Sequence, residues 1–391
     1  MIYNFDEVID RRNTDALKLE ALQPRWGRTD LIPLWVADMD FRTPPFIIKA
    51  LRDRLENEIL GYTVKPDSWY DSIINWVNQR YGWKVSREMM NFTPGIVPGL
   101  AMLIQSLTRP GDKVMVQPPV YHPFFLITQH NNREVVYNPL VLENGQFRMD
   151  MERFKEDVKG CKLLILCNPH NPGGRVWTKE ELIEVARICD ENGTIVVSDE
   201  IHADLTLPPN KHCSFATVSE EARRNSIVFM SPSKAFNMPG MASSYCIIEN
   251  ESIRRTFTAY INGSEYAEGN VFSFIGVAAA YSNGTEWLDQ VIAYIQGNID
   301  FTDRFLKERI PAIKAIRPQA SYLVFLDCRE LGLSQPELVS LFVEGAHLAL
   351  NDGAIFGKEG TGFMRLNVAT PRSVLQKALE QLEIACNERQ K

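Results

Sequence analysis

The middle of the chain alternates short apolar runs with longer amphipathic stretches. Between about residues 98 and 250, several apolar runs have the length and composition of strands that are buried on both faces. Helical patterns separate them, and a repetition of strand, helix and strand is typical of a mainly parallel sheet with helices on both faces. We therefore predict an α/β fold with strands at residues 113–119, 162–169, 194–200, 226–233 and 243–249.

One of the intervening helices can be bounded from the sequence. Thr178 and Glu181 form a capping-box pattern, and Gly193 is placed to end the same helix. The apolar face between them is predicted to contain Leu182, Val185, Ala186 and Cys189.

The pattern changes after about residue 290. A long helical stretch, a strand at 321–327, a helix after Ser334, a strand at 363–369 and a last helix from about Ser373 indicate a smaller α+β domain. A chain of 391 residues is also long enough to divide into two lobes. We predict an N-terminal arm at residues 1–45 that joins the smaller domain, a large domain at 46–288 and a C-terminal small domain at 289–391.

Composition narrows the class of protein. The chain is 45% hydrophobic and 23% charged, and its net charge of −7 is spread without long like-charge blocks, which does not favour nucleic-acid binding. Acidic residues stand where a secretory signal would be basic and then apolar, and no run approaches the roughly 20 apolar residues of a membrane span. Seven cysteines without a C-x-x-C pair suit buried, reduced thiols. We expect a cytoplasmic protein that does not bind membranes.

Three predicted strands carry polar side chains at their carboxyl ends or shortly after them. In open α/β sheets, ligands bind at the carboxyl ends of the strands, so these side chains are expected to converge. They are Asn168 and Asn171, then Asp199 and His202, then Ser231, Ser233 and Lys234.

This set suits a cofactor that has a carbonyl, an acidic phenol, a ring nitrogen and a phosphate. Lys234 can hold the carbonyl as a Schiff base, and Asp199 can keep the ring nitrogen protonated so that the ring accepts electrons. Asn171 can donate to the phenolate, and Ser231 and Ser233 to the phosphate. Taken singly, a lysine after a strand is usually a surface charge and such an aspartate a helix cap. Their joint arrangement favours the cofactor site.

A second anion-binding element is predicted at the start of a helix. Gly95 allows a tight turn before this apolar-periodic helix, and Pro98 lies in its first turn. The backbone N–H groups of Ile96 and Val97 would face a phosphate there. Many helices begin this way and bind nothing. This helix start therefore indicates a phosphate site only in combination with the polar residues at the strand ends.

Four motifs, in this order, carry a family resemblance: CNPHNPGGRVW, SDEIHADL, SPSKAFNMPG and FMRLNVATPR. They resemble the fold type I pyridoxal-phosphate (PLP) enzymes, the aspartate aminotransferase superfamily. The stretches LWVADMDF, GYT, PPVYHPF and ALNDGAIFGKEGTGFMRLNVATPR are similar to its MalY/PatB branch of cystathionine β-lyases. The resemblance runs from about residue 3 to 385 and implies a homodimer with shared active sites.

The resemblance also implies roles for individual residues. Lys234 would bind the cofactor covalently and act as the catalytic residue, and Arg365 would hold the substrate α-carboxylate, which suits a planar guanidinium. Tyr121 would stack on the cofactor ring, and Tyr62 would reach the phosphate from the partner subunit. The remaining implied contacts are Asp199 to the ring nitrogen, Asn171 to the phenolic oxygen, and Ser231, Ser233 and the Ile96 and Val97 amides to the phosphate.

Two positions depart from the broad superfamily. His202 stands where a tyrosine is usual in D-x-x-Y, and Ala242 stands where an arginine often follows the lysine by eight residues. The first places a different hydrogen-bonding group near the cofactor oxygen, and the second removes a cation from the phosphate site. At both positions the residue in this chain is similar to those of the lyase branch.

Three functions follow as hypotheses. The first is a β-lyase in which Lys234 removes the α-proton of cystathionine, cysteine or a related cysteine S-conjugate and a thiol leaves. The second is an aminotransferase that uses the same groups, and it would require a keto acid. The third is a binding protein without cofactor, which the intact set of Lys234, Asp199, Asn171 and Arg365 disfavours. The six histidines lack metal-ligand spacing, so we predict no metal site.

Overall fold

The computed structural model describes residues 2–265 and 269–389. Within these residues the α-helices are α1 Leu17–Glu20, α2 Leu22–Trp26, α3 Pro45–Leu55, α4 Asp67–Tyr81, α5 Ile96–Leu107, α6 Pro123–His130, α7 Met151–Asp157, α8 Lys179–Glu191, α9 Glu220–Arg224, α10 Glu251–Gly263, α11 Val271–Asn283, α12 Thr285–Arg309, α13 Gln335–Ser340 and α14 Arg372–Arg389. The strands are β1 Ile32–Pro33, β2 Met90–Thr93, β3 Lys113–Val116, β4 Glu134–Tyr137, β5 Val141–Glu143, β6 Gln146–Arg148, β7 Cys161–Cys167, β8 Ile195–Asp199, β9 Ser226–Met230, β10 Ser244–Ile247, β11 Lys314–Ile316, β12 Leu323–Asp327, β13 Leu348–Ala349, β14 Asn351–Asp352 and β15 Phe363–Asn367.

A seven-stranded sheet forms the centre of the molecule. Its order is β2-β10-β9-β8-β7-β3-β4, and the strands from β9 to β4 run parallel. Strand β10 is antiparallel to both of its neighbours. The predicted α/β fold with a mainly parallel sheet is confirmed. All five predicted strands are present, and each ends one to three residues before its predicted end.

The central strands are buried on both faces because alternate side chains enter different hydrophobic clusters. In β7, Leu164 and Leu166 pack with the side chains of α8 on one face. Leu163, Ile165 and Cys167 pack with α5 on the other. Helices on both sides therefore explain why this segment reads as a continuous apolar run.

Helix α8 has the ends that the sequence predicts. The Glu181 N–H donates to Thr178 Oγ1 at 3.2 Å, and the Thr178 N–H donates to Glu181 Oε2 at 2.7 Å, which completes a capping box. Gly193, at φ 65°, lies just past the helix end. The four residues predicted for its apolar face, Leu182, Val185, Ala186 and Cys189, are all buried.

A second, four-stranded antiparallel sheet follows in the C-terminal part. Its order is β11-β12-β15-β14, and it matches the predicted strands at 321–327 and 363–369. The N-terminal segment joins this part, since β1 pairs in parallel with β13. The predicted boundary at 288/289 falls inside the long helix α12. The division into 1–45, 46–288 and 289–391 stays a prediction.

The sequence did not predict strands β2 and β4, which close the two edges of the large sheet. β4 has no fully buried residue, so it lacks the apolar run that marks the central strands. Of the seven cysteines, six are buried as expected and Cys213 is partly exposed. Among the described helices, none has both the length and the apolar character that a membrane crossing requires.

Candidate active site

The ends of three neighbouring strands bring the predicted polar residues to one edge of the large sheet. Cys167 at the end of β7 lies beside Asp199 at the end of β8, and Asp199 lies beside Phe229 of β9. Because these strands are parallel, the residues that follow each of them emerge at the same edge. The loops that carry Asn171 and Lys234 therefore start side by side.

Lys234 lies in the loop after β9 and is partly buried. Its Nζ donates a hydrogen bond to the backbone oxygen of Ala37 at 2.7 Å. The pKa of Lys234 is lowered to about 8, mainly by burial and also by the charge of Arg365, while Asp38 and Asp199 act in the opposite direction. An amine with this pKa is available as a nucleophile and a base near neutral pH, unlike an exposed lysine.

Asp199 is buried at the carboxyl end of β8, with 5% of its surface exposed. Its Oδ1 accepts one hydrogen bond from the Ile201 N–H at 3.0 Å, and no cation of the described residues forms an ion pair with it. Burial raises the pKa of this carboxyl to about 7. A protonated ring nitrogen would supply the positive partner that the carboxylate lacks.

Three serines form a small polar cluster after β9 and before β10. The hydroxyl oxygens of Ser231 and Ser233 are 2.6 Å apart, and both hydroxyls reach the backbone oxygen of Ser243, at 2.6 and 3.2 Å. The hydroxyl of Ser243 is buried and has no partner among the described residues. Such a cluster of short donors fits an oxyanion such as phosphate.

The N-terminus of α5 opens at the same edge. Strand β2 ends at Thr93, whose Oγ1 is 2.7 Å from the Ser244 hydroxyl at the start of β10. Gly95, at φ 139°, is the N-cap residue of α5. It has no side chain to accept hydrogen bonds from the first backbone amides of the helix, those of Ile96 and Val97. The amides follow β2, and the serine cluster precedes its neighbour β10. The two groups can therefore bind one phosphate together.

Arg365 comes from β15 in the C-terminal sheet and is almost fully buried, with 3% exposed. Its Nη1 donates to Asn171 Oδ1 at 3.0 Å, and its Nη2 donates to the Trp35 backbone oxygen at 3.1 Å. Burial lowers the pKa of its guanidinium to about 10. Its Nε has no hydrogen-bond partner, and no carboxylate of the described residues pairs with it. A buried guanidinium without an anion is suited to a substrate carboxylate.

Asn171 is linked to three parts of the site. Its backbone oxygen accepts from the Tyr121 N–H at 3.0 Å, and its own N–H donates to Cys167 Sγ at 3.3 Å. Since its side-chain oxygen accepts from Arg365, the amide nitrogen is left as the donor. This is the group that a phenolate oxygen would require.

A cleft of about 1440 Å³ opens beside Lys234 and Arg365. Lys234, Arg365, Tyr121 and His122 line it, together with the N-terminal segment that contains Trp35 to Arg42. Burial raises the pKa of the Tyr121 phenol, so the ring enters the site in its neutral form. The cleft is large enough for an amino acid beside a cofactor.

The two departures from the superfamily have clear positions. His202 is buried, burial lowers its pKa to about 3, and its Nδ1 has no partner among the described residues. Ala242 adopts a left-handed conformation, at φ 47°, one residue before Ser243. No arginine therefore enters the serine cluster from this position.

Tyr62 is the predicted site residue that the structure does not bring to this site. Its side chain is fully exposed in the segment between α3 and α4. The expectation that it serves a partner subunit stays a prediction, because the structure contains one chain.

Sequence reasoning did not identify several residues that hold the site in place. Tyr322 donates to the backbone oxygen of Ala37 at 3.0 Å, next to the Lys234 contact. Asn367 donates to the backbone oxygens of Val36 and Asp38, both at 2.7 Å. The stretch LWVADMDF was a motif of the resemblance, but Ala37 contributes only a carbonyl, which no side-chain pattern can reveal.

The donors and acceptors present fit pyridoxal phosphate: a lysine amine with lowered pKa, a buried carboxylate without a cation, an amide donor, and hydroxyls beside a helix N-terminus. The sequence profile of the class I and II aminotransferases matches residues 29–382. The chain belongs to this family.

Two of the similar proteins are named as lyases and one as an aminotransferase. The chain is 40% identical over 384 residues to cystathionine β-lyase PatB of Bacillus subtilis, covering 98% of this chain and 99% of PatB. It is 34% identical to the PLP-bound C–S lyase of Staphylococcus hominis, with a TM-score of 0.91 and full coverage of both chains. A PLP-bound Clostridium difficile protein named as an aminotransferase is 42% identical, with a TM-score of 0.97, covering 99% of this chain and 100% of that one.

These comparisons confirm the predicted fold type I enzyme of the MalY/PatB branch, and the prediction of a PLP-dependent carbon–sulfur β-lyase. Pyridoxal 5′-phosphate is the cofactor of this enzyme family and is bound in the similar structures. The enzyme processes small amino-acid molecules.

Proposed function

We propose that this enzyme cleaves the carbon–sulfur bond of cysteine S-conjugates, cystathionine among them, to give a thiol, pyruvate and ammonia. The observation that carries the proposal is the pairing of a buried, anion-free guanidinium, Arg365, with a nearby amine of lowered pKa, Lys234, in one open cleft. The name of the 40% identical relative PatB supports cystathionine as a substrate.

Each site residue has a proposed task. Pyridoxal phosphate, when bound, supplies an electron sink that stabilises negative charge at the substrate α-carbon. Asp199 keeps its ring nitrogen protonated, and Asn171 donates to its phenolic oxygen. We propose that Tyr121 stacks on the cofactor ring and that His202 forms a hydrogen bond near the phenolic oxygen. The phosphate would be bound by Ser231, Ser233 and the backbone amides of Ile96 and Val97.

The chain's own groups then direct the reaction. Arg365 holds the substrate α-carboxylate and so orients the α-carbon. The Lys234 amine first holds the cofactor and then, once displaced, takes the α-proton on Nζ. The carbon–sulfur bond breaks with its electron pair on sulfur, and the sulfur takes up a proton and leaves as the thiol. The three-carbon remainder adds water and falls apart to pyruvate and ammonia.

The test is the product formed from cystathionine or cysteine without any added keto acid. We expect pyruvate and thiol in equal amounts from the wild type, and none from Lys234→Ala. The competing function is transamination, which the aminotransferase name of the C. difficile protein favours. Strict dependence of turnover on a keto acid would replace the lyase assignment with it.

We further propose a homodimer, because the segment between α3 and α4 exposes many apolar side chains. Ile59 is 73% exposed, Val64 is 78% exposed, and Tyr62 is fully exposed beside them. Contiguous exposed apolar side chains mark protein interfaces. A second copy of the chain is the partner that would cover this segment and bring Tyr62 to a neighbouring phosphate site.

Subunit exchange tests the shared site. A Tyr62→Ala subunit and a Lys234→Ala subunit each lack a different component, so a mixed dimer should regain one complete site. We expect activity to return on mixing, whereas either variant mixed with itself stays inactive. Absence of recovery, with mixed dimers demonstrated by mass, would remove Tyr62 from the neighbouring site.

A cytoplasmic location is also proposed. All seven cysteines are free thiols in the structure, which suits a reducing compartment. Cell fractionation with an antibody against the protein would check it.

A further inference from the structure

A second guanidinium faces the substrate cleft. Arg25 lies in helix α2, and its side chain lines the same cleft as Lys234 and Arg365. Its guanidinium carbon is 4.2 Å from the centre of the Trp35 ring, which is a stacked cation–π arrangement. Stacking uses the face of the guanidinium and leaves its N–H edge free to donate.

Arg25 also lacks an acidic partner among the described residues. Two other arginines that line the cleft are already paired: Arg42 with Glu7 at 2.5 Å, and Arg11 with Asp38 at 2.8 Å. A cation that is held in place by an aromatic ring but has no carboxylate is arranged for an external anion.

Trp35 and His122 connect Arg25 to the reaction centre. The backbone oxygen of Trp35 accepts the hydrogen bond from Arg365, so one residue contacts both guanidiniums. His122 lines the same cleft, and its Nδ1 is buried without a partner among the described residues. Burial, then the charges of Arg365 and Arg25, lowers the pKa of His122 to about 4. This imidazole is therefore neutral at pH 7 and has one N–H to donate.

We propose that Arg25 and His122 form a subsite for a second carboxylate, located on the part of the substrate that leaves with sulfur. The inference rests on the proposed β-elimination and narrows its substrate class. Arg365 takes the α-carboxylate, and Arg25 takes an anionic group beyond the sulfur atom. Preferred substrates are then cysteine S-conjugates whose thiol portion carries a carboxylate, as the homocysteine portion of cystathionine does.

The experiment compares two substrates of nearly equal shape. S-(2-carboxyethyl)-L-cysteine carries the second carboxylate, and S-(2-carbamoylethyl)-L-cysteine replaces it with a neutral amide. We expect the wild type to prefer the acid in kcat/KM, and Arg25→Gln to reduce the acid-to-amide ratio about fivefold through KM. Arg42→Gln is the matched control, because Arg42 lines the same cleft but is paired with Glu7. It should leave the ratio unchanged.

An unchanged acid-to-amide ratio in Arg25→Gln would overturn the subsite. If kcat/KM falls equally for both substrates, Arg25 only supports the fold of the cleft wall. Arg25→Lys keeps the charge, and partial recovery of the ratio in this variant is expected if the charge recognises the substrate.

A binding measurement separates this inference from the proposed reaction. If the wild type releases no thiol from either substrate, β-elimination of these conjugates fails, yet the subsite can still be tested with 3-sulfanylpropanoate, the free acid product. Binding of this anion should raise the pKa of His122, followed as the imidazole NMR signal that is missing in His122→Gln. The measured quantity is the change in this pKa on adding the anion to each protein, because removing the Arg25 charge alone already raises the pKa. An anion-induced rise of equal size in the wild type and in Arg25→Gln, or no rise in the wild type, would refute the subsite.

Discussion

The Nη1 atom of Arg365 donates a hydrogen bond to Oδ1 of Asn171 at 3.0 Å, which joins strand β15 to the loop after β7. The proposed substrate-binding residue is thus in contact with a proposed cofactor-binding residue. A substrate carboxylate on Arg365 would be held at a set distance from the cofactor ring, because Asn171 and the Trp35 oxygen restrain the guanidinium on two sides.

The first prediction concerns this restraint. Arg365→Lys replaces a planar fork with a single ammonium, which cannot contact Asn171, Trp35 and a bidentate carboxylate at once. We expect KM for cystathionine to rise roughly 10- to 100-fold, the effect of losing a charge-assisted hydrogen bond. Arg309→Lys, at an exposed arginine paired with Glu383, is the control. An unchanged KM in Arg365→Lys would mean that the α-carboxylate binds elsewhere.

The second prediction concerns the amine of Lys234. Its pKa of about 8 means that the neutral, nucleophilic form predominates only above this pH. In protein stripped of cofactor, the rate at which pyridoxal phosphate attaches should therefore rise between pH 6.5 and 9 with a midpoint about 8, measured by absorbance after mixing.

The neighbouring carboxylate provides a variant for this measurement. Asp38 raises the pKa of Lys234, so Asp38→Asn should move the midpoint to lower pH. Asp53→Asn removes a carboxylate that also lines the cleft but is exposed and paired with Lys49, and it should not move the midpoint. A midpoint that stays near the pKa of an exposed lysine in all three proteins would contradict this account.

The third prediction concerns the folding stability that is lost because Asp199 is buried. Its pKa is raised from 3.8 to about 7, so between these pH values the unfolded chain releases a proton that the folded chain retains. Stability that is present below pH 3.8 is then lost as the pH rises to about 7. An asparagine side chain does not titrate, so Asp199→Asn does not lose stability in this way.

Cofactor-free Asp199→Asn should therefore gain thermal stability over the wild type as the pH rises from 5 to 7.5, by on the order of 2–5 °C. The measurement is the unfolding temperature by calorimetry. Added pyridoxal phosphate should stabilise the wild type more than the variant, because the ring supplies the missing cation. Parallel pH curves for the two proteins would show that Asp199 is already compensated without the cofactor.

The fourth prediction concerns the packing beneath the proposed phosphate site. A Cβ on Gly99 of α5 would lie 2.6 Å from Phe229 and 3.0 Å from Thr93, both on strands of the large sheet. We expect Gly99→Ala to lower the free energy of unfolding by about 1–3 kcal/mol and to weaken cofactor binding, as the helix N-terminus moves. Gly240→Ala is the control, since nothing lies within 4 Å of its added Cβ. The free energy of unfolding is measured with denaturant. Equal values for the two variants would contradict the close packing of Gly99 against the sheet.

Much of the large domain and of the cofactor site follows from local sequence. Strands β7, β8 and β9 are continuous apolar runs, and Asn171, Asp199 and Lys234 lie at or shortly after their carboxyl ends. Arg365 was implied by the resemblance to a known family, because nothing in its own neighbourhood points to substrate binding. The edge strand β4 could not be predicted, since its partly exposed residues lack a clear hydrophobic pattern.

The sequence by itself determined the α/β fold, the order of its central strands along the chain and the identity of the groups at their carboxyl ends, because hydrophobic periodicity and strand ends are local properties. Only the tertiary structure decided that β10 runs antiparallel, that the Ala37 carbonyl meets Lys234, and that Arg25 and Arg365 share one cleft. These contacts join segments far apart in the chain, and several use backbone atoms that every residue has. Their partners depend on how the segments pack, which no local pattern records.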